Sequence, residues 1–312
     1  MYKRQQGALF RLLGYEINTE TAINILEDRW KAPEGTDQST LTLFKEMHHI
    51  WNMMKDGEVD IVITEEDFRH YWRRAREQTA SSFSRLHFGH YKSAAYSKYL
   101  SEVHALKLSL IAQTGSAPER WARGLSVMLE KIAGVAIVTK LRAILLMEAD
   151  FNYHNKLIFG KRMMDLARRH GIVPEEIFSE KERTAEDAVL AQVLAYDIAR
   201  QKRAPLIVAS VDAAQCYDRI AHSIAALSLK ASKVPDSSIR CMLKPIREME
   251  FFIRTAFGES KTSVGGKNSP KQGGCQGNGA APPMWQQIST VSYTHLRAHE
   301  TKANLVCRLL LE

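Results

Sequence analysis

The stretch PLIVASVDAAQCYDRIAHSIAAL, residues 205–227, ends an apolar run on Asp212, sets an aromatic at Tyr217 and adds a second acid at Asp218. Residues 205–211 read as a short strand buried on both faces, and the C-terminal end of such a strand is where a parallel or mixed sheet presents side chains to a crevice. Asp212 is therefore expected at a sheet edge. A carboxylate there can serve as a divalent-metal ligand, a phosphoryl-accepting nucleophile or the N-cap of the next helix. The nucleophile reading wants an acid two residues on, where the chain has Ala214. A Mg2+ ligand wants bases and backbone amides nearby to hold substrate phosphates. Lys140, Arg142 and the Gly-rich loop 273–279 are of those types.

Outward from this stretch, residues 20–30, 38–55 and 64–78 alternate apolar and charged positions at helical spacing, with Thr64 and Asp67 spaced as a capping box. They are expected to be surface helices. The segment RLHFGHYKSA (85–94) reads as a basic loop feeding a helix over about 92–113, stopped by Gly115. Two apolar runs between 125 and 147 flank Gly134, a hairpin pattern, with Lys131, Lys140 and Arg142 interrupting them. An arginine inside an apolar strand must be paired or face a ligand. Helices are expected at 149–170, 184–202 and 235–247, and from near Tyr217. EFFIRTAFGESKTSVGG (250–266) alternates like a second hairpin turning at Gly258. In FRHYWRRAR (68–76) bases and aromatics interleave, a pattern that suits template phosphates and a solvated helix face equally.

Composition limits the classes. The chain has 312 residues, 45% hydrophobic and 25% charged, which is ordinary globular material. No run of about 18 apolar residues and no signal-peptide core occurs, so no membrane partner is expected. Cys216, Cys241, Cys275 and Cys307 form no CxxC pair and no zinc spacing, which fits free thiols in a reducing, intracellular compartment, nucleus and cytoplasm being undistinguished. The net charge of +8 is compatible with an anionic partner.

The two ends read differently. Residues 291–301, VSYTHLRAHET, resemble the codon-by-codon translation of a transposase-based sequencing adapter, and NLVCRLLLE (304–312) continues it. YKRQ, residues 2–5, matches the inverted copy of the same transposon end. Residues 1–5 and 291–312 are therefore set aside as adapter-derived. The remaining segment carries 38 bases and 33 acids, a net +5, and is expected to be a fragment of a longer frame.

Within that segment Asp212, Tyr217 and Asp218 resemble the D-x4-Y-D of the first palm motif of reverse transcriptases. QGNGAAPPMW (276–285) resembles the later Q-G-x-x-x-S-P motif, VAIVTKLRAILL (135–146) the fingers strand bearing R-P-I-S-L in non-LTR retrotransposon enzymes, and RTAEDAVLAQVLAYDIAR (183–200) the helix before the palm strand. RLHFGHYKSA resembles the region before the fingers helix. The resemblance spans about residues 85–290 with the segments in family order. Departures are Ala281 for the usual Ser, Cys275 for the usual Pro and Ala143 for Pro, and no [FY]-x-D-D follows the second motif.

The resemblance implies an α+β chain forming right-hand polymerase fingers and a partial palm: helical fingers, β-hairpins and an incomplete palm sheet. Its parts would be an N-terminal helical region (6–84), fingers (85–203) and partial palm (204–290). It implies two-metal nucleotidyl transfer with two Mg2+ ions, Mn2+ substituting, on an RNA template, a DNA primer and deoxynucleoside triphosphates. Asp212 would bridge both metals and the backbone carbonyl of Ala213 would face one. Lys140 and Arg142 would hold the triphosphate, Tyr217 would exclude a 2′-hydroxyl, and Gln276 and Gly277 would pack beside the templating pair. Without the missing acids the fragment is expected to be inactive. A non-catalytic nucleic-acid-binding remnant and an RNA-dependent RNA polymerase are the alternatives. No oligomeric state follows from the sequence.

Overall fold

Two of the three N-terminal helices are set by their caps. Asp37 accepts from the Thr40 amide at 2.9 Å and opens α2 (Gln38–Met53), after a short α1 (Glu20–Leu26). At α3 (Glu65–Arg73) the Thr64 hydroxyl accepts from the Asp67 amide and the Asp67 carboxylate accepts from the Thr64 amide, at 3.1 and 3.0 Å, the box expected from the sequence. The computed structural model describes residues 20–80, 82–135, 137–174, 177–179, 182–206, 208, 213 and 215–298.

Each of these helices buries one stripe rather than lying on the surface as a solvated rod. Phe44, Met47 and Ile50 turn inward from α2, and Phe68 and Trp72 from α3. The helix expected over 92–113 is two helices, α4 (Phe88–Ala94) and α5 (Lys98–Thr114). The chain breaks at Ser97, whose extended backbone lets its hydroxyl accept from the Leu100 amide, and Gly115 ends α5 in the left-handed conformation.

The sheet begins with the expected hairpin, β1 (Arg123–Glu130) antiparallel to β2 (Leu141–Leu146). Strand β3 (Glu250–Thr255) lies parallel to β1, Arg123 opposite Glu250, and β4 (Gly258–Glu259) and β5 (Val264–Gly265) pair antiparallel with β3. The strand order is β2-β1-β3-β4, with β5 also on β3. Helix α6 (Ala149–Asn155) follows β2 and runs through a π-helical segment (Lys156–Met163) into α7 (Met164–Arg169). Helix α8 (Ala185–Gln201) opens on a second capping box, Thr184 with Asp187. Then come α9 (His222–Ala231), α10 (Asp236–Arg247) and α11 (Ala281–Ala298). The last helix passes the boundary at residue 290, since VSYTHLRA holds neither Gly nor Pro to stop it.

The core joins the N-terminal helices to α6. Tyr153 meets Tyr71 at 4.6 Å and Phe68 at 6.1 Å between ring centres, while Phe151 stacks on Trp121 at 4.6 Å. Phe68, Trp121, Phe151 and Tyr153 are fully buried, and rings so placed contribute about 2–3 kcal/mol each. A polar cluster sits beside them. Glu148 and Asp150, both buried, share the Arg120 guanidinium; Glu148 also accepts from Ser82 and Ser84, and Asp150 from the Trp121 indole at 3.0 Å.

Of the strand expected at 205–211, Pro205, Leu206 and Val208 are described and belong to no strand, Val208 being 47% exposed; Ile207 and residues 209–211 lie outside the described residues. FRHYWRRAR, which suited template phosphates and a solvated helix face equally, is not a wholly solvated face, because Phe68 and Trp72 are in the core. Its bases are used locally: Arg69 pairs with Glu65, Arg73 donates to the Ala95 carbonyl, and Arg74 bonds His70. No helix among the described residues is long and apolar enough to cross a membrane.

Candidate functional site

The Gly-rich loop 273–279 is the place where separate segments meet. On one side it is tied to the chain just after the motif that opened the sequence. The Gly273 amide donates to the Ile220 carbonyl at 2.9 Å and the Gly274 amide to the Tyr217 carbonyl at 2.6 Å. Residues Tyr217–Arg219 form one 3-10 turn, so the tie holds the turn rather than a side chain. A Cβ on Gly273 would come within 2.7 Å of the Asp218 backbone, which only glycine avoids. From beneath, the buried His222 ring holds the Gly273 carbonyl at 2.9 Å.

The opposite side of the loop closes on β2 and α6. The Leu145 amide, on the free edge of β2, donates to the Gln276 carbonyl at 2.8 Å. The Asn152 amide group spans the next turn, donating to the Gly277 carbonyl at 3.0 Å and accepting from the Gly279 amide at 2.7 Å. Asn155 donates to Asn278 at 2.9 Å, and Asn278 in turn donates to the Gly274 carbonyl and accepts from the Ala280 amide. Gly277 itself has φ +107°, and a Cβ there would overlap the Leu145 carbonyl oxygen. Both its conformation and its space demand glycine.

Electrostatically the site is quiet. Burial pushes the Cys275 thiol up to about 12, with the Asp218 charge adding to it, so this sulfur is not a nucleophile. Burial also raises the Tyr217 phenol and lowers the His222 imidazole below its ordinary value, and Nδ1 of His222 has no partner among the described residues. Cys216, Cys241 and Cys275 are all free.

Of the residues singled out from the sequence, Tyr217, Gln276 and Gly277 come together through these backbone bonds. Tyr217 and Gln276 are half-buried, Gly277 is exposed, and Ala213 is half-buried just before the turn. Asp212 lies outside the described residues. Lys140 and Arg142 are exposed on the β1–β2 hairpin and make no side-chain hydrogen bond or ion pair among the described residues. Arg142 was expected to be paired or to face a ligand. It has no partner among the described residues, since residues three apart on a strand face opposite ways: Leu145 points inward and Arg142 to solvent, about 10 Å along the strand from the Gln276 contact. Asp218 is exposed and serves through its backbone.

Sequence reading passed over Asn152, Asn155 and His222. Two asparagines spaced one turn apart inside a helix are costly unless their amides are used, and that was the available signal in DFNYHNK (150–156). Among the described residues no three His, Cys, Asp or Glu side chains assemble into a metal-holding group. A scan against protein-family models and a search of curated proteins each find no match for this chain.

Proposed function

We propose that the chain is part of an RNA-directed DNA polymerase, contributing fingers and a partial palm that bind an RNA template, a DNA primer and a deoxynucleoside triphosphate. One observation carries the reading. Three motifs far apart in sequence, the turn after Asp212, the Gln276-Gly277 loop and the strand bearing Arg142, are joined by the Gly274–Tyr217 and Leu145–Gln276 backbone bonds. A polymerase needs those three together, because the metal-binding acid, the groove beside the templating pair and the phosphate-holding bases act on one nucleotide.

In this reading the exposed backbone of Gly277 is the surface a base pair approaches, the missing Cβ lets that backbone sit against β2, and Asn152 fixes it through the Gly277 carbonyl. Tyr217, held by the loop, lies under the sugar. Arg142 and Lys140, solvated and unpaired among the described residues, are free to take a triphosphate. The Mg2+ ions, bound by Asp212 with further acids of the intact frame, would activate the primer hydroxyl and stabilise pyrophosphate.

Primer extension on an RNA template, with Mg2+ and deoxynucleotides, by the frame that continues the 6–290 segment tests it. Extension is expected, abolished in Asp212→Asn, with ribonucleotide incorporation rising in Tyr217→Ala. Undiminished synthesis by the Asn variant would sink the assignment.

A further inference from the structure

Helix α5 packs on one side only. Ser101, Ala105, Leu108, Ser109, Ile111 and Ala112 face the core, where the Ser109 hydroxyl accepts from the Ile63 amide at 2.8 Å. Its other side is apolar and uncovered: Tyr99 is 72% exposed, Val103 47%, Leu106 62% and Leu110 50%, with Leu100 beside them at 44%. These four residues recur at intervals of four, three and four, which is the d-a-d-a seam of a two-stranded coiled coil. A seam of that kind on a folded scaffold is an interaction surface rather than a chance exposure.

We propose that this face pairs with the same face of a second copy, the two α5 helices lying parallel and in register. The charges flanking the seam select that occupant. In the seam's register Glu102 is the g position and Lys107 the e position of the next heptad, five residues on. That is the offset at which g and e′ charges meet across a parallel dimer, and twofold symmetry forms the pair twice. The exposed helix α8 carries a similar apolar seam at Val189, Val193 and Tyr196, but its flanking positions are Gln192 and Asp197, which offer no such pairing.

The area suits a reversible dimer. Two facing seams, with the exposed Tyr96 at the head of each, hold roughly 1,200–1,500 Å2, at the low end of what specific dimers bury. Helix α5 is already folded against α3 and α10, so pairing does not bear the cost of forming it.

Sedimentation equilibrium of the full 312-residue chain across about 1–100 µM, the range where an interface of this size associates, tests the proposal. The expected result is a concentration-dependent monomer–dimer equilibrium. Leu106→Glu should leave a monomer with an unchanged melting temperature, since the residue is largely exposed. Glu102→Lys and Lys107→Glu should each weaken the dimer roughly two- to tenfold by placing like charges across the seam. The double swap should restore it. A chain monomeric throughout, a dimer indifferent to Leu106→Glu, or a double swap no better than the single ones would overturn the pairing.

Discussion

Replacing Gly277 by alanine puts the loop geometry at risk in a way that can be sized. Its φ of +107° lies outside the conformations an L residue adopts without strain, a cost of about 1–3 kcal/mol. The added Cβ overlaps the Leu145 carbonyl oxygen, and a backbone atom cannot swing aside as a flexible side chain does. The loop must therefore lift, losing the Leu145–Gln276 bond and the Asn152–Gly277 bond, about 1 kcal/mol each. Keeping the native loop would cost that strain together with the overlap, more than the roughly 2 kcal/mol of the two bonds, so the loop opens instead. Amide hydrogen exchange at Leu145 reads this directly, and acceleration of a hundredfold or more, roughly 3 kcal/mol, is expected. Gly134→Ala is the control: its φ is also positive, at +80°, but no atom lies within 4 Å of the new Cβ, so it strains the hairpin tip and leaves the Leu145 amide alone. Unchanged exchange at Leu145 in Gly277→Ala would refute the claim that the loop is locked onto β2.

Asp150→Asn should destabilise the fold by about 3 kcal/mol in urea unfolding, because it leaves the Arg120 guanidinium short of a buried partner that now also serves Trp121; a loss below about 1 kcal/mol would mean the cluster is more hydrated than its burial indicates. Acid should weaken the fold through His154, which is fully buried and held down to about 4 by that burial. The unfolded imidazole takes up a proton below about 6.5 while the folded one stays neutral, so stability declines as pH falls from 6.5 toward 4, by up to about 3 kcal/mol, and is indifferent to this group above neutrality. His222, also lowered by burial, adds to the same slope. Unfolding measured between pH 6.5 and 5 should show a shallower slope in His154→Gln, and an identical slope would remove His154 as its source.

What the sequence determined by itself is what depends on neighbours in the chain. Thr64 with Asp67 and Thr184 with Asp187 are boxes closed within one turn, so their helices begin where the spacing says. The hairpin around Gly134 and the helix over residues 236–247 are local in the same sense. Tertiary structure decided the rest. The parallel pairing of β1 with β3 joins residues more than a hundred positions apart, and no periodicity encodes which strand lies beside which. Arg142 looked like a buried charge because its neighbours are apolar, yet β2 is an edge strand and that face is wet. FRHYWRRAR suited template phosphates and a solvated helix face equally, and only packing showed that Phe68 and Trp72 belong to the core. Asn152 and Asn155 gained their role only when the loop 273–279 arrived from across the fold, since a side-chain amide acquires direction from the backbone it meets.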